Sequence, residues 1–391
     1  MISYICKSSL GDFFLNLPKI YLVIGNDFPE GNAKNSRIKS YAEGLKNLGH
    51  EVEVLVGFSS AFNLTQTNRE ARGTWNNIPF RFLSKQIEYK TYTTNRIKCW
   101  LKANYNLFRC MRKPKNQGAK WLFYMPGFRA LLPALLIARK KSSSIFCLET
   151  ELLSLESTGF EQSLNRMEER LKARFFRILV LTPMLKNWYQ ALKPKHTITQ
   201  IVPISGNIQR FIQRGSAEIR TNCIGYVGSF GDKDGVATIV ETFLKYQQQH
   251  EQARLILFGY GLKVYSDHPN IEQYGKFEYE DLPKLLLQCD TLVLNRRDDL
   301  YARLGFPIKL VEYLATAIPV VLCDFEDYHE YLTPHEVIYF KPNNVKSMLK
   351  AFEWRYSNYD KADAVGRNGY KKCTLIFDQK LAAKELSCIF A

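Results

Sequence analysis

The sequence has no long hydrophobic run, no paired cysteines and no histidine cluster. No stretch reaches the ~18 uninterrupted apolar residues of a membrane span. The apolar stretch FFLNLPKIYLVIG is interrupted by Asn16, Pro18 and Lys19, and no small-residue cleavage site follows it. The nine cysteines lie singly, without a C-x-x-C pair, which favours a reducing compartment over a disulfide framework. We therefore expect a cytoplasmic protein.

Acidic residues are scarce relative to basic ones. There are 38 of them against 54 lysines and arginines, so the formal net charge is +16. Such an excess implies an anionic partner, whether nucleic acid, acidic lipid or a phosphorylated substrate. No RNP-like, helix-turn-helix or zinc pattern accompanies the charge, so we predict no nucleic-acid partner. The six histidines show no metal-ligand spacing, so we also predict no metal and no cofactor.

Short apolar runs alternate with segments of helical periodicity along most of the chain. The predicted strands are Ile20–Gly25, Val52–Val56, Trp121–Tyr124, Ile145–Leu148, Ile178–Leu181, Ile198–Val202, Ile224–Val227, Arg254–Phe258, Thr291–Leu294, Val320–Cys323 and Val337–Phe340. The predicted helices include Ser36–Leu48, Phe128–Lys140, Leu164–Phe176, Val236–Gln247 and Leu282–Gln288. This alternation indicates βαβ units and parallel sheets buried on both faces.

The pattern restarts near residue 222, after the polar stretch Gly206–Thr221. We therefore predict an α/β protein with two doubly wound, Rossmann-like domains that face each other across a ligand-binding cleft. The predicted domains are residues 1–208 and residues 209–370; the family resemblance described below makes the first the acceptor side and the second the nucleotide-sugar-binding domain. The remaining segment, residues 371–391, is predicted to contain a final helix over roughly Asp378–Phe390 that packs back on the first domain.

Glycine-containing turns follow several predicted strands. In the first domain, Gly31 and Asn32 precede an amphipathic helix whose N-terminus can face an anion, although any α/β turn of this kind needs a glycine. In the second, YVGSFGDKDGV at 226–236 offers Lys233 as a cation and Ser229 as a donor. It lacks the G-K-[ST] of a Walker loop.

Three further strand ends carry candidate ligand contacts. LILFGYG ends at Gly261, and Phe277 lies in a loop able to hold a base. Arg296 and Arg297 directly follow a predicted strand. An arginine in that position either points into the cleft or remains solvated.

The stretch GFPIKLVEYLATAIPVVLCD places Lys309 and Glu312 on one face of a helix that starts at Pro307. The first turn of a helix has free N–H groups and attracts anions. A cation, free donors and a carboxylate on one face suit the phosphates and hydroxyls of a sugar nucleotide. The alternative is a surface i, i+3 salt bridge on an ordinary amphipathic helix.

From Asp27 to the mid-360s, the order of these motifs resembles a retaining GT-B glycosyltransferase of the family 4 type, within the glycosyl transferases group 1. The motifs are P-x-G-N, G-H-E-V, G-S-F…K-D-G, F-G-Y-G, N-R-R-D and F-P-x-K-L-x-E-Y-L-A…P-V-V. The resemblance implies transfer of a sugar from a nucleotide-diphosphate donor to a saccharide or lipid-linked saccharide, in cell-surface polysaccharide biosynthesis.

The resemblance also implies roles for individual residues. Lys309, Glu312 and Lys233 are the implied catalytic residues, with both lysines at the diphosphate and Glu312 at the ribose hydroxyls. The implied donor-binding residues are Gly31, Asn32, Gly228, Ser229, Lys233, Asp234, Gly261, Phe277, Arg297, Phe306, Lys309, Leu310 and Glu312. On the acceptor side, Glu149 or Glu151 lies in about the region of a family histidine, and either is equally compatible with an ordinary helix start.

Three positions depart from the family pattern. Leu304 stands where many members carry a second glutamate, Ser229 stands where many carry an arginine, and Ala317 replaces the usual glycine after the helix. A recognisable subgroup shares the first two departures. They bear on how the sugar and the phosphates are held.

Residues 85–120 contain ten basic residues and one acidic residue. Ile97, Trp100, Leu101, Leu107, Phe108 and Met111 fall on one face of a possible helix there. A basic amphipathic segment with tryptophan predicts contact with an anionic membrane surface, peripheral on the inner face of the cell membrane. The alternative is a core-packing helix with a solvated basic face.

Two other functions share the predicted architecture. A nucleotide-sugar 2-epimerase would need acid–base carboxylates and histidines, of which the sequence shows few. A non-catalytic nucleotide-sugar-binding protein is favoured only by Leu304 and Ser229.

Overall fold

The computed structural model describes most of the chain. The described residues are 17–25, 28–29, 33–57, 71–85, 93–124, 132–137, 142–203, 208–211, 222–260, 265, 267–275, 277 and 279–391. Contacts divide the chain into two units, Met1–Gly206 with Gln379–Ala391, and Asn207–Asp378.

One sheet of eight described strands forms the centre of the first unit. Its strands are β1 (Ile20–Ile24), β2 (Val52–Val56), β3 (Arg72–Trp75), β4 (Ile78–Phe82), β5 (Lys120–Tyr124), β6 (Ile145–Glu149), β7 (Arg177–Val180) and β8 (Ile198–Gln200). They lie in the order β3-β4-β2-β1-β5-β6-β7-β8. Neighbouring strands are parallel except β3 with β4. All five residues of β1 are buried, as expected where helices cover both faces of a parallel sheet.

Helices connect these strands. They are α1 (Ala33–Asn47), α2 (Thr93–Arg112), α3 (132–137), α4 (Leu153–Glu156), α5 (Gly159–Phe175) and α6 (Pro183–Ala191). The start of α6 is capped by the Thr182 hydroxyl, which accepts a hydrogen bond from the Leu185 amide at 3.2 Å. Thr182 thereby satisfies one of the first-turn donors that a helix leaves unpaired.

A six-stranded parallel sheet forms the centre of the second unit. Its strands are β9 (Cys223–Ser229), β10 (Arg254–Tyr260), β11 (Ile271–Tyr274), β12 (Thr291–Leu294), β13 (Val320–Cys323) and β14 (Ile338–Phe340), in the order β11-β10-β9-β12-β13-β14. Its helices are α7 (Val236–Gln247), α8 (Leu282–Leu286), α9 (Leu300–Leu304), α10 (Ile308–Ala315), α11 (Val345–Ser357) and α12 (Tyr359–Ile376).

The strand order of the second sheet reverses between β9 and β12. From β9 the chain moves outward through β10 to β11, and it then returns to β12 on the other side. Ligands of open α/β sheets bind at such a switch point, outside the carboxyl ends of the strands. The fold therefore brings the loop after β9 and the loop after β12 to the position where a ligand is expected.

The last helix, α13 (Gln379–Phe390), packs on the first unit. Gly44 of α1 allows a close approach, since a Cβ there would lie 2.6 Å from the Ala383 Cβ. The predicted bounds, roughly Asp378–Phe390, agree with the observed helix, although the segment 371–391 to which we assigned it also contains residues 371–376, which continue α12. The reason is that Phe377 is buried in the second unit, with its ring 5.6 Å from that of Phe306.

Three strands were missing from the sequence-based prediction: β3, β4 and β11. β3 and β4 form a hairpin whose two turn residues, Asn76 and Asn77, have φ values of 47° and 58°. Two left-handed residues in succession define the type I′ turn, for which asparagine is favoured. The Asn-Asn pair was therefore an available signal.

Candidate functional site

Lys309 is the centre of a buried polar cluster at the switch point of the second unit. Its Nζ lies 2.6 Å from Asp234 Oδ2 and 3.0 Å from the Tyr226 hydroxyl. The Tyr226 hydroxyl also lies 3.0 Å from Asp234 Oδ2 and 2.8 Å from the Ser229 carbonyl oxygen. The side chains of Lys309 and Asp234 are 18% and 13% exposed. Helix α10 thus holds Lys309 against the loop that follows β9. Lys309 and Asp234, which pair here, are 75 residues apart in the sequence.

Bare backbone lies beside this cluster, at the ends of β9 and β10. Gly228 has φ 151°, and a Cβ there would lie 2.4 Å from Lys309 Nζ. Gly259 pairs with Gly228 across the two strands, has φ 148°, and would place a Cβ 1.7 Å from the Gly228 carbonyl oxygen. Both positions require glycine because of their conformation and their lack of space. The absence of these two side chains lets Lys309 pack against the end of β9 and lets β9 and β10 lie close together.

Charge pairing dominates the electrostatics of the cluster. Burial raises the pKa of Asp234, but the Lys309 ammonium and the Arg296 guanidinium outweigh burial and hold that pKa below its usual range. Burial, together with the Asp234 carboxylate, raises the pKa of Tyr226 well above its ordinary value. At neutral pH the cluster is therefore an ammonium, a carboxylate and a neutral phenol, with two donors of Lys309 already engaged.

The loop after β12 lies against the loop after β9. The Arg297 amide donates to the Lys233 carbonyl oxygen at 3.0 Å. The Asn295 amide group donates to the Gly235 carbonyl oxygen at 3.0 Å. Lys233 Nζ lies 4.1 Å from the centre of the Tyr301 ring, and the exposed Arg297 pairs with an aspartate of its own loop. Two cations therefore border the Lys309 cluster on adjoining loops.

Arg296, rather than Arg297, is the buried arginine of this loop. Its Nη1 donates to the Gly305 carbonyl oxygen at 2.6 Å. Burial lowers the pKa of Arg296, but the nearby Tyr328 and Asp234 raise it further than burial lowers it. Arg296 thereby holds the turn that leads into α10.

The other predicted residues of α10 are buried. Glu312 is 3% exposed and Leu310 is fully enclosed. Phe306 packs edge-on against Tyr328 at 5.7 Å. A surface salt bridge does not describe this helix, because Glu312 is interior and Lys309 is paired with Asp234 of another element.

Two of the departures from the family pattern have a structural setting. Leu304 is a buried core residue at the end of α9. Ala317 has φ 59°, a left-handed conformation that explains why glycine is common at this position.

The remaining predicted site residues do not join the Lys309 cluster in the described structure. Gly31, Asn32 and Gly261 lie outside the described residues. Phe277 is half-buried in the loop after β11, two strands away from β9 in the sheet order. In the first unit, Glu149 is buried at the end of β6, where its Oε1 lies 2.9 Å from Lys172 Nζ.

Glu151 is half-buried just before α4. In the described ranges, no three His, Cys, Asp or Glu side chains come together to hold a metal ion. Among the described helices, none is both long and apolar enough to cross a bilayer.

The basic segment forms helix α2, but its apolar residues do not share one environment. Leu107 and Met111 are buried, whereas Ile97 and Leu101 are more than half exposed. The predicted helix is observed, but its apolar arc is buried towards the C-terminal end of α2 and open to solvent towards the N-terminal end. Tyr105 extends the exposed part along the helix.

The sequence did not indicate Tyr226 or Asn295 as residues of the site. It indicated Arg296 as a candidate, but not its structural role. Tyr226 looks like an ordinary strand residue in the sequence, and no local signal marks its hydroxyl. Asn295 and Arg296 directly follow a buried strand in a parallel sheet, a position that marks strand-end residues as candidates.

Part of the chain matches a known protein family. Residues 208–372 match the sequence model of the family glycosyl transferases group 1. The resemblance to this group that the motifs indicated is thereby confirmed over most of the second unit. No curated protein matches the chain in sequence.

Solved structures match nearly the whole chain. Sucrose-phosphate synthase from Thermosynechococcus elongatus is 15% identical, with 95% of this chain and 98% of that chain covered at a TM-score of 0.72. HepE from Anabaena, in complex with UDP and glucose, is 13% identical, with 94% and 98% covered at 0.69. The catalytic domain of Arabidopsis thaliana starch synthase IV, bound to ADP and acarbose, is 11% identical, with 96% and 99% covered at 0.67. These likenesses confirm the predicted GT-B fold class with Rossmann-like units.

Proposed function

We propose that this protein transfers a sugar, with retention of configuration, from a nucleotide-diphosphate donor to a saccharide or lipid-linked saccharide acceptor. Its place is in the biosynthesis of a cell-surface polysaccharide. The observation that carries the proposal is the Lys309–Asp234–Tyr226 cluster beside Gly228, at the switch point of a unit that matches the group 1 glycosyl transferases.

The diphosphate is bound at this cluster. A lysine ammonium has three N–H donors, and Tyr226 and Asp234 accept two of those of Lys309. The third donor is directed to a phosphate oxygen on the side where Lys309 remains partly exposed. Helix α10 begins at Ile308 without a side-chain cap, so its first amides add donors for an anion.

Asp234 orients Lys309 and also removes its net charge. The positive charge that offsets a diphosphate must then come largely from the neighbouring loops. Lys233 and Arg297 belong to these loops, which are joined by the hydrogen bond from the Arg297 amide to the Lys233 carbonyl oxygen. Glu312 is buried on the same helix and accepts hydrogen bonds from the ribose hydroxyls.

The reaction follows from positioning and electrostatics. Lys233 and Arg297 stabilise the charge that develops on the leaving diphosphate. A donor phosphate oxygen takes the acceptor proton on the same face, so no protein nucleophile is needed. The contribution of the protein is to align the two substrates.

Binding of a panel of nucleoside diphosphates and nucleotide sugars, measured by thermal shift and calorimetry, tests the donor site. Lys309→Ala and Glu312→Ala are each expected to weaken the best ligand by about tenfold or more, the size of a lost charge-assisted hydrogen bond. Lys245→Ala is the control, because Lys245 forms an exposed i, i+4 pair with Glu241. Donor binding that survives both site substitutions contradicts the proposal.

The proposal includes peripheral association with an anionic membrane through α2. Ile97, Leu101 and Tyr105 are exposed along one side of this helix, and exposed Lys98 and Lys102 lie beside them. Exposed apolar side chains flanked by lysines suit an anionic bilayer surface. We expect flotation with vesicles that contain anionic lipid and none with neutral vesicles. Equal flotation of wild type and Ile97→Ser/Leu101→Ser excludes this role of α2.

A further inference from the structure

The first unit contains a cavity that none of the residues of the Lys309 cluster line. It has a volume of about 820 Å³ and is lined by the β3–β4 hairpin, the turn after β4 and the C-terminal half of α2. This size falls within the usual range of small-molecule sites. None of its lining residues belongs to the proposed donor site.

Half of the described residues that line the cavity are cationic. Among these ten residues, five are lysines or arginines and none is acidic; the cations are Arg72, Arg81, Lys85, Arg109 and Lys113. Apart from Arg81, each of them is exposed and forms no ion pair within the described part of the chain. The cavity therefore concentrates positive charge without an internal counter-ion.

Arg81 is fixed at the base of this cation group. Its Nε lies 2.6 Å from Glu53 Oε1, and its Nη2 lies 3.0 Å from Cys110 Sγ. Glu53 also lies 3.5 Å from Lys19 Nζ, and Lys19 pairs with Glu51 as well. In the described part of the chain, Glu53 pairs with Arg81 but with none of the other four cations of the cavity, so it does not neutralise their charge.

The strand register adds an unfavourable contact that an anion would relieve. Arg72 and Arg81 are direct partners across the antiparallel pair β3–β4, and like charges in directly opposite positions destabilise a sheet. An oxyanion between two guanidinium groups accepts hydrogen bonds from both and offsets their repulsion. We therefore expect an anion bound in the cavity to stabilise the hairpin.

We propose that this cavity binds the phosphoryl group of an organic phosphate or diphosphate. Arginine forks suit phosphate oxygens, and the volume leaves room for the organic group beside Phe82 and Leu83, which also line the cavity. Assigning this phosphate to the acceptor substrate rests on the proposed function, whereas the anion site itself does not. The same chemistry is offered by a soluble phosphate ester and by a lipid head group.

Hydrogen-exchange mass spectrometry with inorganic pyrophosphate tests the site. We expect pyrophosphate to protect residues 71–85 and 105–113. Arg109→Gln/Lys113→Gln should weaken that protection at least about tenfold in pyrophosphate concentration. The matched control is Lys98→Gln/Lys102→Gln, which removes the same charge from exposed positions of the same helix that do not line the cavity.

Two outcomes overturn the proposal: no protection of these segments in the wild type, or equal loss of protection in both double variants. The second outcome would indicate only diffuse attraction to a basic surface. A second arm separates the sources of phosphate. Competition by glycerol phosphate supports a soluble ester, whereas competition only by vesicles containing phosphatidylglycerol supports a lipid head group.

The Lys309→Ala variant separates this inference from the donor proposal. If the donor proposal is wrong and the cavity proposal is correct, this variant keeps donor binding, and pyrophosphate still protects residues 71–85. If the cavity proposal fails alone, nucleoside diphosphates still protect residues 226–236 while 71–85 exchange freely.

Discussion

Each unit contains a lysine paired with a carboxylate near the carboxyl end of a central strand, but the two clusters differ in openness. In the first unit, Lys172 Nζ lies 2.9 Å from Glu149 and 2.7 Å from Glu168, and its side chain is 6% exposed. In the second unit, Lys309 is 18% exposed and lies beside the bare backbone of Gly228. The first cluster is closed by protein, whereas the second remains partly exposed.

The difference shows that a buried ion pair is not by itself a functional site. Burial lowers the pKa of Lys172, but Glu149 and Glu168 raise it further, so Lys172 remains an ammonium locked between two carboxylates. The Cys147 thiol also donates to Glu149 at 2.9 Å. Glu149 therefore has internal partners that account for its burial, whereas Lys309 retains a donor and adjoining space.

Removal of the cation from the closed cluster should have the largest effect on stability. Lys172→Met leaves two buried carboxylates facing each other without a counter-ion, and we expect a loss of about 3–5 kcal/mol in the free energy of unfolding. Urea unfolding measures it. Lys245→Met, in an exposed pair, should change the same quantity by less than about 0.5 kcal/mol. A loss below about 1 kcal/mol for Lys172→Met would show that the two carboxylates find other partners.

Closing the open cluster sterically should come next. Gly259→Ala would place a Cβ 1.7 Å from the Gly228 carbonyl oxygen, at φ 148°, and we expect a loss of roughly 3 kcal/mol through strain and overlap. Gly231→Ala is the matched control, since the nearest atom to its Cβ would be Ser229 Oγ at 3.8 Å. Thermal unfolding compares the two variants. Equal melting temperatures would show that β9 and β10 can separate without cost.

Neutralising Asp234 tests how much its charge contributes to the open cluster. Asp234→Asn should lower the free energy of unfolding by about 2 kcal/mol at pH 7, because a charge-assisted hydrogen bond to Lys309 is weakened. The folded pKa of Asp234 lies below its ordinary value of 3.8, so this contribution is complete above that pH. It is lost as the pH falls through the folded pKa.

Urea unfolding of wild type and Asp234→Asn at pH 7 and near pH 3 measures this difference. Asp232→Asn, at an exposed position of the same turn, serves as the control. A wild-type advantage over Asp234→Asn that grows on acidification would have the wrong sign for the proposed ion pair.

The smallest expected effect concerns a neutral contact that holds α13 on the first unit. His50 Nδ1 lies 3.0 Å from the Pro18 carbonyl oxygen, and its Nε2 lies 2.7 Å from the Ser387 hydroxyl. Pro18 can only accept, so Nδ1 carries the proton and Nε2 accepts from Ser387. Burial lowers the pKa of His50. The hydrogen bond to Pro18 raises that pKa, but by less than burial lowers it.

The stability from neutral His50 is therefore complete above its ordinary pKa of 6.5 and is lost as the pH falls below it. Between pH 7.5 and 5.5 we expect the docking of α13 to weaken by about 1 kcal/mol. Hydrogen exchange of residues 379–390, referenced to α11, measures this change. His50→Gln should abolish the pH dependence. If the exchange of residues 379–390 relative to α11 does not change with pH in the wild type, His50 does not control the docking of α13.

The sequence predicted the elements of both sheets well where strands were apolar on both faces. All eleven predicted strands correspond to observed ones, and the helix Val236–Gln247 has the predicted bounds. The hairpin β3–β4 was missed because it lies at a sheet edge, where Arg72 and Pro79 interrupt the apolar pattern. Edge strands are only partly buried, so their sequences carry a weaker signal.

The sequence by itself determined the α/β class, the position of the second unit and the family of that unit, because apolar periodicity and motif order are local properties of the chain. The tertiary structure decided which charges meet. Lys309 pairs with Asp234, 75 residues away, and Glu149 pairs with Lys172 of another helix. The cations of the 820 Å³ cavity come from a hairpin and a helix. Such partners are fixed by sheet order and helix packing, which bring distant residues within a few ångströms, so no local pattern predicts them.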